Sequence, residues 1–209
     1  GDRVLPLTDV HGLRLTLVES ARGLERPFGP WRGSPIPAQR QIRGLYGARL
    51  WEQKQEDTAR FMTGALGFRE LAREGEWTRY GFDAHPGVVD IRETPNERRG
   101  AWGVGAVHHP ASSVTDLEYE LAVRAQIEAA GGRGTDVIDR FWFKSVYFRE
   151  PGGVLFEIAT EGPGFAVDEN PAALGETLVL PPWYEPSRRE IEGVLPPLAM
   201  PGGRFRESA

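Results

Sequence analysis

Apolar and polar residues fall into the same order twice along this chain. Residues 43–93 and 103–160 each open on a short strand-like run, Gly44-Leu45-Tyr46-Gly47-Ala48-Arg49-Leu50 in the first and Ala106-Val107-His108-His109 in the second. Each continues with a stretch of helical period and ends in extended segments. In the first unit Asp57 can cap the helix, Phe61, Met62, Ala65 and Leu66 give it an apolar face, and Gly67 stops it. In the second, Thr115-Asp116-Leu117-Glu118 reads as a capping box, Leu117, Leu121 and Ile127 as the face, and Gly131-Gly132 as the stop. The closing strands correspond as well: Gly87-Val88-Val89-Asp90-Ile91 lies beside Val154-Leu155-Phe156-Glu157-Ile158. The pattern predicts an α+β fold of paired βαβββ modules, 43–93 and 103–160, forming one domain over 43–160. Each helix should pack outside a curved mixed sheet.

The flanks follow from the same comparison. Asp9-Val10-His11-Gly12-Leu13-Arg14-Leu15-Thr16-Leu17-Val18 is similar to residues 150–159, turn on turn and strand on strand, with Thr16 at the place of Glu157. Residues 1–19 therefore read as the closing strand of an earlier module, with an edge strand of this same domain as the alternative. Pro27, Pro30, Pro35 and Pro37 mark 20–42 as a linker. Residues 161–209 form a C-terminal extension with one short helix at about 187–194, packed on the domain. From Pro201 onward the chain reads as disordered.

Composition narrows the chemistry. The chain has 209 residues, a net charge of -5 and no Cys. Its scattered charges leave no basic footprint for nucleic acid, and no apolar run approaches membrane-spanning length. Without thiols, a metal site would have to use His and carboxylates. A reducing, cytoplasmic setting fits. Residue 1 is Gly rather than Met, as in a processed, tagged or partial chain.

Two places carry candidate chemistry. Glu157 stands in the apolar run Val154-Leu155-Phe156-Glu157-Ile158-Ala159, where an unpaired carboxylate is expensive to bury. His108 and His109 follow Val107. Two imidazoles and a carboxylate make a facial iron(II) site, and the chain shows two such ligands clearly. Periodicity alone also allows Glu157 to be an outward charge between inward Phe156 and Ile158, and His109 to be a structural histidine. Strand alternation would send His108 and His109 to opposite faces, which makes His108 the weaker candidate. Arg140 and Tyr147 lie among aromatics and could be core packing, or a cation and a phenol beside a metal. Asp90 and Tyr46 read as structural. His11 and His85 sit in turn-like, exposed contexts. Gly103-Val104-Gly105 lacks the strand–loop–helix context of a phosphate loop.

The stretch Asp139-Arg140-Phe141-Trp142-Phe143-Lys144-Ser145-Val146-Tyr147-Phe148-Arg149-Glu150-Pro151-Gly152-Gly153, running on into Val154–Thr160, is long and particular. With Val107-His108-His109 before it and Leu180-Pro181-Pro182-Trp183 after it, it resembles the hydroquinone-type ring-cleaving dioxygenases. These belong to the vicinal oxygen chelate superfamily, the glyoxalase/bleomycin-resistance fold. The resemblance spans about residues 43–198. It implies iron(II) (Fe(II)), or sometimes manganese(II) (Mn(II)), held by two His and one Glu, and a small aromatic diol of the 1,4-hydroquinone or catechol type opened with dioxygen. Carried over by position, His109 and Glu157 would be metal ligands, while His108, Arg140 and Tyr147 would orient the substrate and handle protons. The other His ligand in that family comes from the first strand of the first module, which is missing here, so this chain alone is expected to be a poor enzyme. Pro110, directly after His109, is a second departure and favours an edge or bulged strand. Two competing functions remain at this point. One is a glyoxalase-like isomerase or lyase with Asp90 as the further base; the other is a non-catalytic protein that binds an aromatic ligand. A homo-oligomer is compatible with any of these.

Overall fold

The computed structural model describes residues 3–83 and 85–197. The first module runs β3 (Gly47–Glu52), α2 (Glu56–Ala65), β4 (Arg69–Glu74), β5 (Trp77–Phe82) and β6 (His85–Glu93). The second runs β7 (Ala111–Val114), α3 (Leu117–Ala129), β8 (Ile138–Asp139), β9 (Lys144–Arg149) and β10 (Leu155–Thr160). The sheets have the orders β3-β6-β5-β4 and β7-β10-β9-β8. In each, the helical crossover makes the first strand parallel to the last, and hairpins make the remaining neighbours antiparallel. The two βαβββ units expected from the repeat are both present.

Alternation explains how the helices sit. Val146 and Phe148 on β9, with Phe156 and Ile158 on β10, face a core that also takes Phe61, Met62 and Ala65 from α2 and Val123 and Ile127 from α3. Leu50, Tyr80, Val89 and Ile91 of the first sheet join the same cluster. The helices touch each other, and α3 lies against β7, β9 and β10. One core thus serves both modules. Along β9 and β10 the intervening residues, among them Tyr147 and Glu157, lie on the opposite face.

Several local expectations need correction. The second module's first strand begins at Ala111, and residues 106–110 form none. Pro110 has no N–H for a ladder, and its carbonyl accepts the Glu157 N–H at 3.0 Å. The strand that follows is an edge strand, as Pro110 indicated. The first module's opening strand likewise starts at Gly47 rather than Gly44. Helix α2 is capped at Gln55, with Asp57 inside its first turn; Gly67 closes it at φ +71, where a side chain would be strained. The N-cap of α3 is Asp116, whose side chain accepts the Tyr119 N–H at 2.9 Å. Leu117 and Leu121 are exposed, and the buried stripe is Glu120, Val123 and Ile127. The true face lies roughly 100° around the helix from the one the leucines indicated.

The flanks pack differently from the modules. β1 (Arg3–Thr8) and β2 (Arg14–Glu19) form a two-stranded antiparallel hairpin that pairs with neither module's sheet. Thr16 lies opposite Pro6 there. His11 is exposed in the hairpin turn, as expected, and that turn docks on Gly105. A Cβ at Gly105, which has φ +82, would meet the His11 Cβ at 2.7 Å. His85, expected in a turn, is the first residue of β6. The linker holds only the short helix α1 (Ala21–Leu24) and a single 3-10 turn at Ala38–Arg40. In the extension, α4 (Arg188–Val194) matches the expected helix; the tail from Pro201 lies outside the described residues.

Candidate functional site

Glu157 is placed by β10, which pairs with β7 on one side and β9 on the other. The preceding turn is tied down by Glu150, whose carboxylate accepts the Gly152 and Val154 N–H groups, each at 2.6 Å. Glu157 is only 5% exposed. Its Oε2 lies 2.6 Å from His109 Nε2, and its Oε1 is buried with no hydrogen-bond partner. An outward-facing solvated charge does not fit these facts.

His109 stands just before β7, with its ring edge-on to Tyr147 at 5.3 Å between centroids. Its Nδ1 is 2.8 Å from His108 Nδ1. The expected opposition of the two imidazoles therefore fails, because residues 106–110 are not a strand and alternation does not govern them. One of two facing Nδ1 atoms must carry a proton and the other must accept it. If His109 Nε2–H donates to Glu157, neutral His109 has a bare Nδ1, and His108 Nδ1–H is the donor. His108 in turn stacks on Trp102 at 4.8 Å and 23°, and the Arg149 guanidinium lies 4.9 Å from the Trp102 ring centroid.

Tyr147 is the cross-strand partner of Glu157. Arg140 donates from Nη2 to the Tyr147 hydroxyl at 3.4 Å, and its guanidinium carbon lies 5.7 Å from the ring centroid. All five residues singled out in the sequence, His108, His109, Arg140, Tyr147 and Glu157, form one unbroken chain of contacts. Trp102 was not anticipated, since a lone Trp in a Gly-rich linker carries no pattern. Nor was Glu120, fully buried on α3 with both carboxylate oxygens unpartnered. Burial pushes its carboxyl up, and the negative Glu157 adds to this, while Lys144 opposes it. Plotting α3 as a helical wheel would have revealed Glu120 beside Val123 and Ile127.

The equivalent place in the first module is filled differently. Asp90 is 4% exposed and accepts from Arg79 Nε at 2.7 Å and Nη2 at 3.0 Å, with Arg49 Nε at 3.4 Å. Arg79 also donates to the Tyr46 hydroxyl at 3.0 Å. Two guanidinium groups neutralise this carboxylate, so Asp90 is structural and not a free base.

Among the described residues, no group of three or more His, Asp or Glu side chains gathers that could hold a metal ion. What is present fits part of a facial set: an imidazole nitrogen beside a buried carboxylate that has an orphaned oxygen, with no thiolate nearby. A divalent cation would satisfy that oxygen. No helix among the described residues is long and apolar enough to cross a membrane.

Comparison with known proteins identifies the family to which this fold belongs. Residues 48–158 match the model of the glyoxalase/bleomycin resistance protein/dioxygenase superfamily. MhqO of Bacillus subtilis (strain 168), named as a candidate ring-cleaving dioxygenase, is 38% identical over 198 residues, covering 94% of this chain and 62% of its own length. The chlorohydroquinone/hydroquinone 1,2-dioxygenase of Sphingobium indicum is 34% identical over 171 residues, covering 78% of this chain and 52% of its own. A crystal structure of a candidate dioxygenase from Bacillus subtilis superposes with a TM-score of 0.84 at 37% identity, over 100% of this chain and 64% of that one. The chain thus spans under two thirds of the length of these relatives. Its paired βαβββ modules and the match across both of them place it in the glyoxalase/bleomycin resistance protein/dioxygenase superfamily.

Proposed function

We propose that this chain carries the larger part of the active site of an extradiol-type dioxygenase, in a protein of its relatives' length, that cleaves hydroquinone- or catechol-type rings. The observation that carries the reading is the buried His109–Glu157 pair with its orphaned carboxylate oxygen. His109 Nε2 and Glu157 would hold iron(II), or manganese(II) in its place, together with an imidazole that is not among the described residues. When bound, the metal would supply open positions where a diol and dioxygen can meet and exchange electrons.

The chain's own residues have definite tasks in this scheme. To hold a metal, His109 Nε2 would have to be bare, which would put the ring's proton on Nδ1. His108 Nδ1 would then accept that proton's hydrogen bond, with its own proton on Nε2. The His108–His109 contact would thereby orient the imidazole. Arg140 places a fixed positive charge beside Tyr147, where an ionised phenolic oxygen of the substrate gains from it. The Tyr147 hydroxyl, already accepting from Arg140, is free to donate its own proton to a substrate oxygen. The salt-bridged Asp90 disfavours a glyoxalase-like route that would need it as base.

The test is oxygen uptake with hydroquinone and iron(II), comparing this chain, a protein of the relatives' full length, and that longer protein with Glu157→Gln. The longer protein should turn over, this chain should be slow, and Glu157→Gln should be nearly inactive. Undiminished uptake by Glu157→Gln removes Glu157 from the chemistry.

A further inference from the structure

Arg140 opens the loop joining β8 to β9, and that loop is held in an unusual way. Its N–H donates to the Phe143 carbonyl at 2.9 Å, closing a turn over Arg140–Phe143. Phe141, inside the turn, has φ +74 and is the one non-glycine residue with positive φ among those described. Hairpin turns favour such a conformation because it matches strand twist, but glycine or asparagine adopts it at far lower cost than a bulky aromatic. A Phe at this position implies that its ring is used.

Every ring of the loop meets a ring of the C-terminal extension. Phe141 lies edge-on to Trp183 at 6.4 Å. Trp142 stacks with Phe165 at 6.3 Å and 26°, and Phe143 meets the same Phe165 at 6.1 Å. Polar contacts run alongside. Trp142 Nε1 donates to Asp168 Oδ1 at 2.9 Å, and the Gly164 N–H donates to the Trp142 carbonyl at 2.8 Å. From its own module the loop gains the Phe141 N–H bond to Asp139 Oδ1 at 2.8 Å. The extension thus gives the loop three ring contacts and two hydrogen bonds.

We propose that the C-terminal extension is a positioning element for Arg140, with Trp183, Phe165 and Asp168 clamping the 140–143 turn so that the guanidinium meets Tyr147. The part of this that concerns substrate rests on the role given to Arg140 above; the clamp itself does not. Trp183 acts through the loop and needs no contact with the reacting atoms. Half of Trp183 is solvent-exposed, so its replacement leaves the shared core intact.

Hydrogen exchange and hydroquinone binding on this chain separate the possibilities. In Trp183→Ala, and independently in Asp168→Ala, the amides of Arg140 and Phe141 should exchange about tenfold faster, with Val146 and Phe156 unchanged. Trp183→Phe should keep the wild-type rates. By calorimetry, Trp183→Ala should weaken hydroquinone binding by about as much as Arg140→Ala, roughly tenfold, and the double variant should be no weaker than Arg140→Ala alone. Unchanged exchange in both clamp variants overturns the proposal whatever the affinities. Faster exchange with unchanged affinity, or with losses that add to those of Arg140→Ala, reduces the contacts to packing and overturns the positioning role. If Arg140→Ala has no effect on that binding, the ring-cleaving reading of Arg140 fails. The NMR order of the Arg140 side-chain Nε–H, in wild type against Trp183→Ala, then decides the clamp by itself, and equal order overturns it.

Discussion

Glu52 ends β3 with its side chain 2% exposed, and its Oε1 has no partner. A Cβ added at Gly152 would fall on its carboxylate, so only glycine fits there. Glu150, also buried, accepts the Thr58 hydroxyl at 2.5 Å. Burial first, then the Glu150 charge, push the Glu52 carboxyl up from 4.5 to about 7, with Arg99 opposing. The folded state therefore holds this proton more tightly than the unfolded chain. Its contribution is full below about pH 4.5 and is lost as pH rises through about 7, a change of about 3 kcal/mol by linkage. Urea unfolding at about pH 5 and about pH 8 should show Glu52→Gln gaining on wild type across that interval; a constant difference would mean Glu52 is not the source. Glu120 makes a simpler case. With no hydrogen bond to either oxygen, it costs stability where it lies, and Glu120→Leu should raise thermal stability by about 1 kcal/mol or more, visible as a higher Tm. A lower Tm would mean that the carboxyl has a partner after all. At this scale the sequence was most legible where a polar residue broke an apolar run, as at Glu157, and least where an apolar neighbour distracted from it, as Leu117 and Leu121 did from Glu120.

Elements were readable in order and kind, because the hydrophobic period switches from helix to strand at matching places in both modules. Their ends were harder, since two adjacent residues can compete for one role. Thr115 and Asp116 can both cap α3, and Asp116 does so because its Oδ1 reaches the Tyr119 N–H at 2.9 Å, while the Thr115 hydroxyl donates to Asp116 Oδ2 at 3.0 Å. That backbone hydrogen bond, chiefly, holds the Asp116 carboxyl below its usual range. Asp116→Ala should destabilise the fold clearly more than Thr115→Val, measured by urea unfolding. The reverse order would restore the capping box expected from Thr115. The displaced start of β7 has a similar origin. Pro110 was recognised as an edge residue, but its missing N–H also stops the ladder short of the histidines. This frees His108 and His109 from alternation and lets their Nδ1 atoms meet. The edge position was visible in the sequence; its consequence for the ring pair depended on a turn with no pattern of its own.

At the scale of the whole molecule, the repeat read from sequence describes two modules but does not show that neither has a core of its own. Phe61 of α2 meets Phe148 of β9 at 6.0 Å, and a Cβ at Gly132, just past α3, would lie 3.2 Å from the Phe61 ring. Thr58 of the first module bonds Glu150 of the second, the residue that also fixes the turn leading to Glu157. The site's carboxylate is thus held partly by the module that lacks the site. The β1–β2 hairpin contributes nothing to this core among the described residues. Ile127, fully buried on α3, should therefore report on both modules. Ile127→Ala should lower stability by about 2–5 kcal/mol, and hydrogen exchange should show α2, β6, α3 and β10 losing protection together in one step. If the first module kept its protection while the second opened, the two would be separate folding units. The Thr58–Glu150 contact would then be a docking contact rather than part of a common core, and the geometry around Glu157 would not depend on the first module.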